Sequence, residues 1–147
     1  FGSSSIDAGP FYNTAITELV IKEGTEPLEI QARSFAGCYQ LHTVDLPARV
    51  TCIGNSAFAD CGNLKKISFG KIEVIGDEAF KNCTSLTSLV FSKNIKNIGE
   101  DAFLNCKNLL KVEFLGDLQL YMVERPQNIL DCFKGTNLKQ IIFEYDE

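Results

Sequence analysis

Ile53-Gly54-Asn55-Ser56-Ala57-Phe58-Ala59-Asp60-Cys61-Gly62-Asn63-Leu64-Lys65-Lys66-Ile67-Ser68-Phe69 reduces to the skeleton I-G-x-x-A-F-x-x-C-x-x-L-x-x-I-x-F. The skeleton returns at Ile75-Gly76, Ala79-Phe80, Cys83, Leu86, Leu89 and Phe91, and again at Ile98-Gly99, Ala102-Phe103, Cys106, Leu109, Val112 and Phe114. Phe35, Phe58, Phe80 and Phe103 are separated by 23, 22 and 23 residues. The columns Leu41/Leu64/Leu86/Leu109, Val44/Ile67/Leu89/Val112 and Leu46/Phe69/Phe91/Phe114 keep the same irregular spacing. Self-similarity at a period of this length marks a solenoid, in which each unit buries its apolar face only against its neighbours.

Two shorter units flank the regular ones. Phe11 to Ile21 opens the array and Phe133 to Phe143 closes it, each one residue shorter between the Phe and the Leu-type position and with Thr near the Cys column. Terminal units of a solenoid are atypical, so the count is six rungs. At the strand spacing of about 4.8 Å they span on the order of 25 Å. Within a rung, L-x-x-I-x-F reads as a short strand, with Ile67 and Phe69 inward and Ser68 outward. The stretch Pro47 to Ile53 crosses to a second extended piece. Gly54, Gly76 and Gly99 read as turn residues at positive φ. Asn55, Asp77 and Glu100 or Asp101 read as N-caps, and A-F-x-x-C-x-x-L as one or two turns of α- or 3₁₀-helix. The expected fold is an α/β repeat solenoid, with a parallel β-sheet on one face and short helical turns on the other.

The repeat breaks in two places. Phe114 to Phe133 spans 19 residues where Phe91 to Phe103 spans 12, so 115–131 is read as an insertion. A smaller one between Ile21 and Phe35 carries Gly24 and Pro27. Residues 1–10, rich in Ser and Gly, read as a linker, and 11–147 as one repeat domain.

A net charge of −5 without a Lys/Arg cluster in the sequence argues against nucleic acid and anionic membranes. No apolar run is long enough for a membrane span. Phe1 to Ser5 shows no initiator Met, basic n-region or h-region, so the chain is read as a fragment of something longer whose export signal lies elsewhere.

The skeleton resembles the BspA-like, or Treponema pallidum-type, leucine-rich repeats over about residues 11–144. The most specific part is the triple Ile53-Gly54, Phe58, Cys61; Ile75-Gly76, Phe80, Cys83; Ile98-Gly99, Phe103, Cys106. The resemblance implies a right-handed leucine-rich-repeat solenoid and an extracellular or cell-surface setting. It also implies adhesion to a protein or glycan on host or neighbouring cells. It carries no catalytic residues. The insertion, the end units without Cys and the small number of repeats depart from the family pattern.

Candidate chemistry is sparse. Cys38, Cys61, Cys83 and Cys106 follow the repeat rather than the C-x₂₋₄-C spacing of zinc sites, and stacked parallel Cβ vectors lie too far apart for disulfides. They read as buried thiols. Cys132 aligns with Ser34, Ala57, Ala79 and Ala102 as a small filler, and Cys52 reads as the most exposed and reactive of the six. His42, the single histidine, has no nucleophile motif beside it. Asp77-Glu78 and Glu100-Asp101 read as helix-start acids. Asn82-Cys83-Thr84 matches a glycosylation sequon whose middle residue belongs to the core. No cofactor or metal is expected. The outward strand positions remain: Thr43, Asp45, Lys66, Ser68, Ser88, Val90, Lys111 and Glu113 are the candidate ligand contacts, with Tyr121 and Met122 in the insertion. Apolar Val90, Leu110 and Ile142 on that face form either a binding stripe or ordinary strand-favouring positions. The insertion is either a lid over the last rung or a contact surface. The sequence thus points to a non-enzymatic recognition module. The competing readings are a structural spacer in a larger surface protein and, third, a hydrolase with its pocket under the insertion.

Overall fold

The computed structural model describes residues 9–116 and 131–144. The insertion therefore lies outside the described residues except for Leu115, Gly116 and Asp131, as do Tyr121 and Met122 and most of the segment read as a linker. Gly9 and Pro10 already belong to the first rung, where the Gly9 carbonyl accepts the Tyr12 amide at 3.1 Å.

The chain winds as a parallel β-solenoid of about four complete turns. Each turn passes through a turn layer, a first strand and a second strand. The first strands are β1 (Glu18–Val20), β3 (Thr43–Asp45), β5 (Lys66–Ser68), β7 (Ser88–Phe91), β9 (Lys111–Leu115) and β10 (Gln140–Glu144). The second strands are β2 (Leu28–Ile30), β4 (Val50–Ile53), β6 (Val74–Ile75) and β8 (Asn97–Ile98). All pairs are parallel. The first face forms two three-stranded leaves, β1-β3-β5 and β7-β9-β10, and the second face a four-stranded sheet, β2-β4-β6-β8.

The expected helical turns are absent; the described residues contain almost no helix. Helix formation would direct each amide to the carbonyl four residues back. Instead Ser56, Phe58 and Asp60 donate to Asp77, Ala79 and Lys81 of the following rung, at 2.9, 2.8 and 2.8 Å. The amides between them close i→i−3 turns: Ala57 to Gly54, Ala59 to Ser56 and Cys61 to Phe58, at 3.2, 3.2 and 3.3 Å. Positive φ at Ser56 and Asp60 (56° and 62°) excludes a right-handed helix there, and Glu78, Asn82, Asp101 and Asn105 repeat the pattern. The three-residue spacing of Phe, Cys and Leu is real, but successive β-turns produce it.

Two further expectations change with this. Gly54, Gly76 and Gly99 are not at positive φ. They are glycines because a Cβ on each would lie 2.6, 2.6 and 2.5 Å from the backbone nitrogen of Ala32, Asn55 and Asp77 in the preceding rung. Asn55 and Asp77 do not cap helices. Their Oδ1 atoms accept the amides of Asp77 and Glu100, each at 2.9 Å, and so tie one rung to the next.

The core is built from columns. Phe11, Phe35, Phe58, Phe80, Phe103 and Phe133 stack with centroids 5.2 to 5.5 Å apart. Phe69, Phe91, Phe114 and Phe143 form a second stack at 4.8 to 5.6 Å. The stacks meet edge-on at Phe69–Phe80 and Phe91–Phe103, 5.7 and 6.1 Å apart, within the range of favourable aromatic pairs. Cys38, Cys61, Cys83, Cys106 and Cys132 share the core with them, and all six cysteines are buried with none in a disulfide. Cys38, Cys61, Cys83 and Cys106 each donate an S–H to the Phe carbonyl of the preceding rung, at 3.2 Å. Thr14 and Thr136 in the end units turn their hydroxyls onto their own rung's Phe carbonyl instead, at 2.8 Å. Cys52 is the most exposed of the six, at 9% relative exposure where the other five are at 0%, though it too is buried. Burial first, and then the Glu29 carboxylate, raise its thiol above the ordinary range.

Phe80 touches ring neighbours on both sides and an edge, and is fully buried, so Phe80→Ala should cost about 3–5 kcal/mol. Phe11 is 46% exposed at the array's end, so Phe11→Ala should cost clearly less. Urea unfolding midpoints compare the two, and equal losses would contradict a column that tightens inward.

Burial pushes the Cys61, Cys106 and Cys132 thiols from 9.0 up to about 12. The unfolded thiols ionise first, so the stability these neutral thiols contribute is complete below about pH 9 and drains away as pH rises toward 12. The urea midpoint should fall over that window, and Cys106→Ala should shrink the slope. An unchanged slope in that variant would mean the thiol is not held neutral by the fold.

Candidate functional site

The first face positions its outward side chains by register. Glu18, Thr43 and Lys66 lie side by side, as do Val20, Asp45 and Ser68. In the other leaf Ser88, Lys111 and Gln140 align, as do Val90, Glu113 and Ile142. Strand alternation sends Val44, Ile67, Leu89 and Val112 inward, where they are buried, and turns these neighbours out. Thr43, Asp45, Lys66, Ser88 and Val90 are exposed, while Ser68, Lys111 and Glu113 are half-buried.

The eight described candidates thus share one face but fall into two groups. No ladder joins β5 to β7. The β1-β3-β5 group is polar apart from Val20, which is 71% exposed. The β7-β9-β10 group carries Val90 and Leu110, 44% and 42% exposed, beside the half-buried Ile142. Lys111 and Glu113 engage each other, Nζ to Oε2 at 3.5 Å, across one strand residue. Partial exposure leaves this pair worth little in stability, and it lowers the free charge of both.

The turn layer presents a different surface. Asn55, Ser56, Asp77, Glu78, Glu100 and Asp101 line an open depression of about 410 Å³. The acids read from sequence as helix-start residues gather here. Lys81 pairs with Glu78 at 3.4 Å, and Lys134 with Asp101 at 3.6 Å. Among the described residues no group of three or more His, Cys, Asp or Glu is placed to hold a metal ion. Asn82 of the sequon donates Nδ2–H to Asp60 Oδ1 at 2.7 Å, and Cys83 is fully buried.

The sequence reading missed one set of polar residues. Asn108 and Asn137 donate Nδ2–H to the Thr84 and Lys107 carbonyls of the preceding rung, both at 2.7 Å. Asn63 does the same to Tyr39, and Ser85 Oγ takes the equivalent role toward Gly62 at 2.6 Å. The signal was present as C-x-[N/S]-L in the three rungs with Cys61, Cys83 and Cys106, and as T-N-L in the shorter last unit, the polar residue always standing just before the column Leu. Within the described residues no helix is long and apolar enough to cross a membrane.

These features match known architectures. A leucine-rich cell-surface protein of Faecalibacterium prausnitzii superposes over 95% of this chain and 34% of its own, at 24% identity and a TM-score of 0.68. The pneumococcal vaccine antigen PcpA does so over 71% of this chain and 26% of its own, at 31% identity and a TM-score of 0.66. A leucine-rich repeat protein of T. pallidum matches 86% of this chain and 72% of its own, at 22% identity and a TM-score of 0.54. The chain therefore spans about a third of the length of the first of these and about a quarter of the second. No curated protein matches it. The model of the BspA-type leucine-rich repeat region matches residues 4–123 in six copies, and with the stacked rungs this makes the chain a member of that family.

Proposed function

We propose that the chain is a non-enzymatic recognition module of an extracellular or cell-surface protein, with a protein or glycan ligand on the first face. The observation that supports this most is the register of that face. Thr43, Asp45, Lys66, Ser88 and Val90 are held outward on strands whose opposite sides are locked in the core. A surface so anchored loses little conformational entropy on binding. The structural neighbours named as cell-surface protein and vaccine antigen are consistent with an external setting. Adhesion to host or neighbouring cells is the use this reading favours.

A spacer role is the second reading. It draws on the small share of its longer neighbours that the chain spans, 34% and 26%. A spacer would keep its rungs and tolerate any soluble residue on the face.

The two readings separate in one experiment. A panel of host matrix proteins and glycans is screened against the chain. For any ligand found, Lys66→Glu, Lys111→Glu and Val90→Ala should each weaken binding by about tenfold, roughly 1.4 kcal/mol, while the melting temperature stays unchanged. Normal binding by all three variants would remove the first face as the site.

A further inference from the structure

Five of the eleven lysines gather along one edge of the solenoid although they form no long run in the sequence. Each regular rung passes from its column Cys through a short edge into its first strand. Those edges, residues 38–43, 61–66, 83–88 and 106–111, with 136–140 in the last unit, contain no Asp or Glu. They carry Lys65, Lys66, Lys107, Lys111 and Lys139. The chain as a whole is acidic, with a net charge of −5. Asp77, Glu78, Glu100 and Asp101 instead crowd the depression in the turn layer.

Backbone pairing aligns these edges along the solenoid. The Lys65 amide bonds the His42 carbonyl at 2.8 Å, and the Lys139 amide bonds Leu110 at 2.9 Å. Lys66 lies in register with Thr43, and Lys111 lies between Ser88 and Gln140. Among the described residues Lys65, Lys66, Lys107 and Lys139 form no ion pair, and only Lys111 has a carboxylate, Glu113, at hand. The exposed amides of Asn63, Asn108 and Asn137 commit their Nδ2–H to the preceding rung, which leaves each Oδ1 to accept from outside.

From this we infer that the edge between the turn layer and the first face binds a linear anionic polysaccharide, sulfated or rich in uronate, running along the solenoid axis. The inference rests on the recognition reading above and names its ligand class, with the contact displaced toward the edge. A polymer fits because the cations are spread along the axis over three edges, 61–66, 106–111 and 136–140, while the intervening edge 83–88 offers only Thr and Ser hydroxyls; at about 4.8 Å per rung this spans roughly 14 Å. Free lysines meet sulfates or carboxylates, and the outward Oδ1 atoms and the Thr43 and Ser88 hydroxyls meet sugar hydroxyls. A protein partner would require an apolar centre, and the edge offers only Leu110 and Tyr39, which lie on separate rungs. A single-stranded nucleic acid would require a series of rings along the edge for its bases, and the edge offers only Tyr39 and His42, both on one rung.

Heparin is the probe. Titration should show binding that weakens steeply with salt, as counterion release from any polyanion requires. Replacing Lys65, Lys66, Lys107 and Lys139 together by Gln should weaken it by at least about tenfold. The control replaces Lys22, Lys71, Lys93 and Lys96 by Gln, removing equal charge from beyond the ends of β1, β5 and β7 and from before the start of β8, and should leave affinity within about twofold. Both variants are first checked for an unchanged thermal melt. Absence of heparin binding at low salt, equal losses in the two variants, or equally tight binding of a single-stranded oligonucleotide of matched charge would each overturn the inference. If heparin fails while a protein ligand sensitive to Val90→Ala is found, the recognition reading stands and this one falls.

Discussion

Everything in this structure depends on where the backbone amides of the turn layer point. Ser56, Phe58 and Asp60 send theirs along the solenoid axis to Asp77, Ala79 and Lys81. Glu78, Phe80 and Asn82 do the same to Glu100, Ala102 and Leu104. A buried backbone donor must be satisfied, and here the acceptor belongs to another rung. Each rung must then superimpose on the next almost atom for atom. The chain meets that demand with identical side chains in identical places, which is why its sequence repeats. Phenylalanine over phenylalanine and cysteine over cysteine follow from the backbone geometry.

The same demand accounts for the small and polar residues. Gly54, Gly76 and Gly99 are glycines because the rungs approach too closely there for a Cβ. Asn55 and Asp77 carry their side-chain oxygens into the next rung's backbone. Asn82 and Asn105 extend the ties, bonding Asp60 and Asn82 at 2.7 and 3.2 Å. The thiol suits its column because it is small, apolar enough to be fully buried, and still able to donate one weak hydrogen bond to a carbonyl.

The period was legible in the sequence because it recorded contacts between rungs: Phe35, Phe58, Phe80 and Phe103 repeat because they touch. The layer containing them was misread for a related reason. Spacings of three fit a helix and a chain of β-turns equally well, and what separates them is a hydrogen-bond partner about 22 residues away. A local clue did exist. Asn13, Gly37, Asp60, Asn82, Asn105 and Gly135 all stand two residues after the column Phe and all have positive φ. Asn, Asp and Gly are the residues that tolerate that conformation, so the column was readable as a turn. The outward residues are another matter. Thr43, Lys66, Ser88 and Lys111 share a position without sharing a chemistry, because nothing in the core constrains them. Sequence could place them on one face but could not say what they bind.

That absence of constraint is itself informative about how binding can be built here. Inward positions answer to the rung above and the rung below, so they cannot vary singly. Outward strand positions and the edge lysines answer mainly to solvent, and a change there leaves the stacked rings and the axial amides untouched. Charge can therefore be sorted between surfaces at little cost in stability, with Asp77, Glu78, Glu100 and Asp101 gathered over the turn layer and five of the eleven lysines along the edge beside the first sheet. Exposed charges contribute only weakly to folding, so stability does not explain the sorting. Charge gathered on one surface acts chiefly on the approach and orientation of charged partners, through the field it sets up. A scaffold that fixes its backbone through neighbour contacts is left free to vary that field rung by rung.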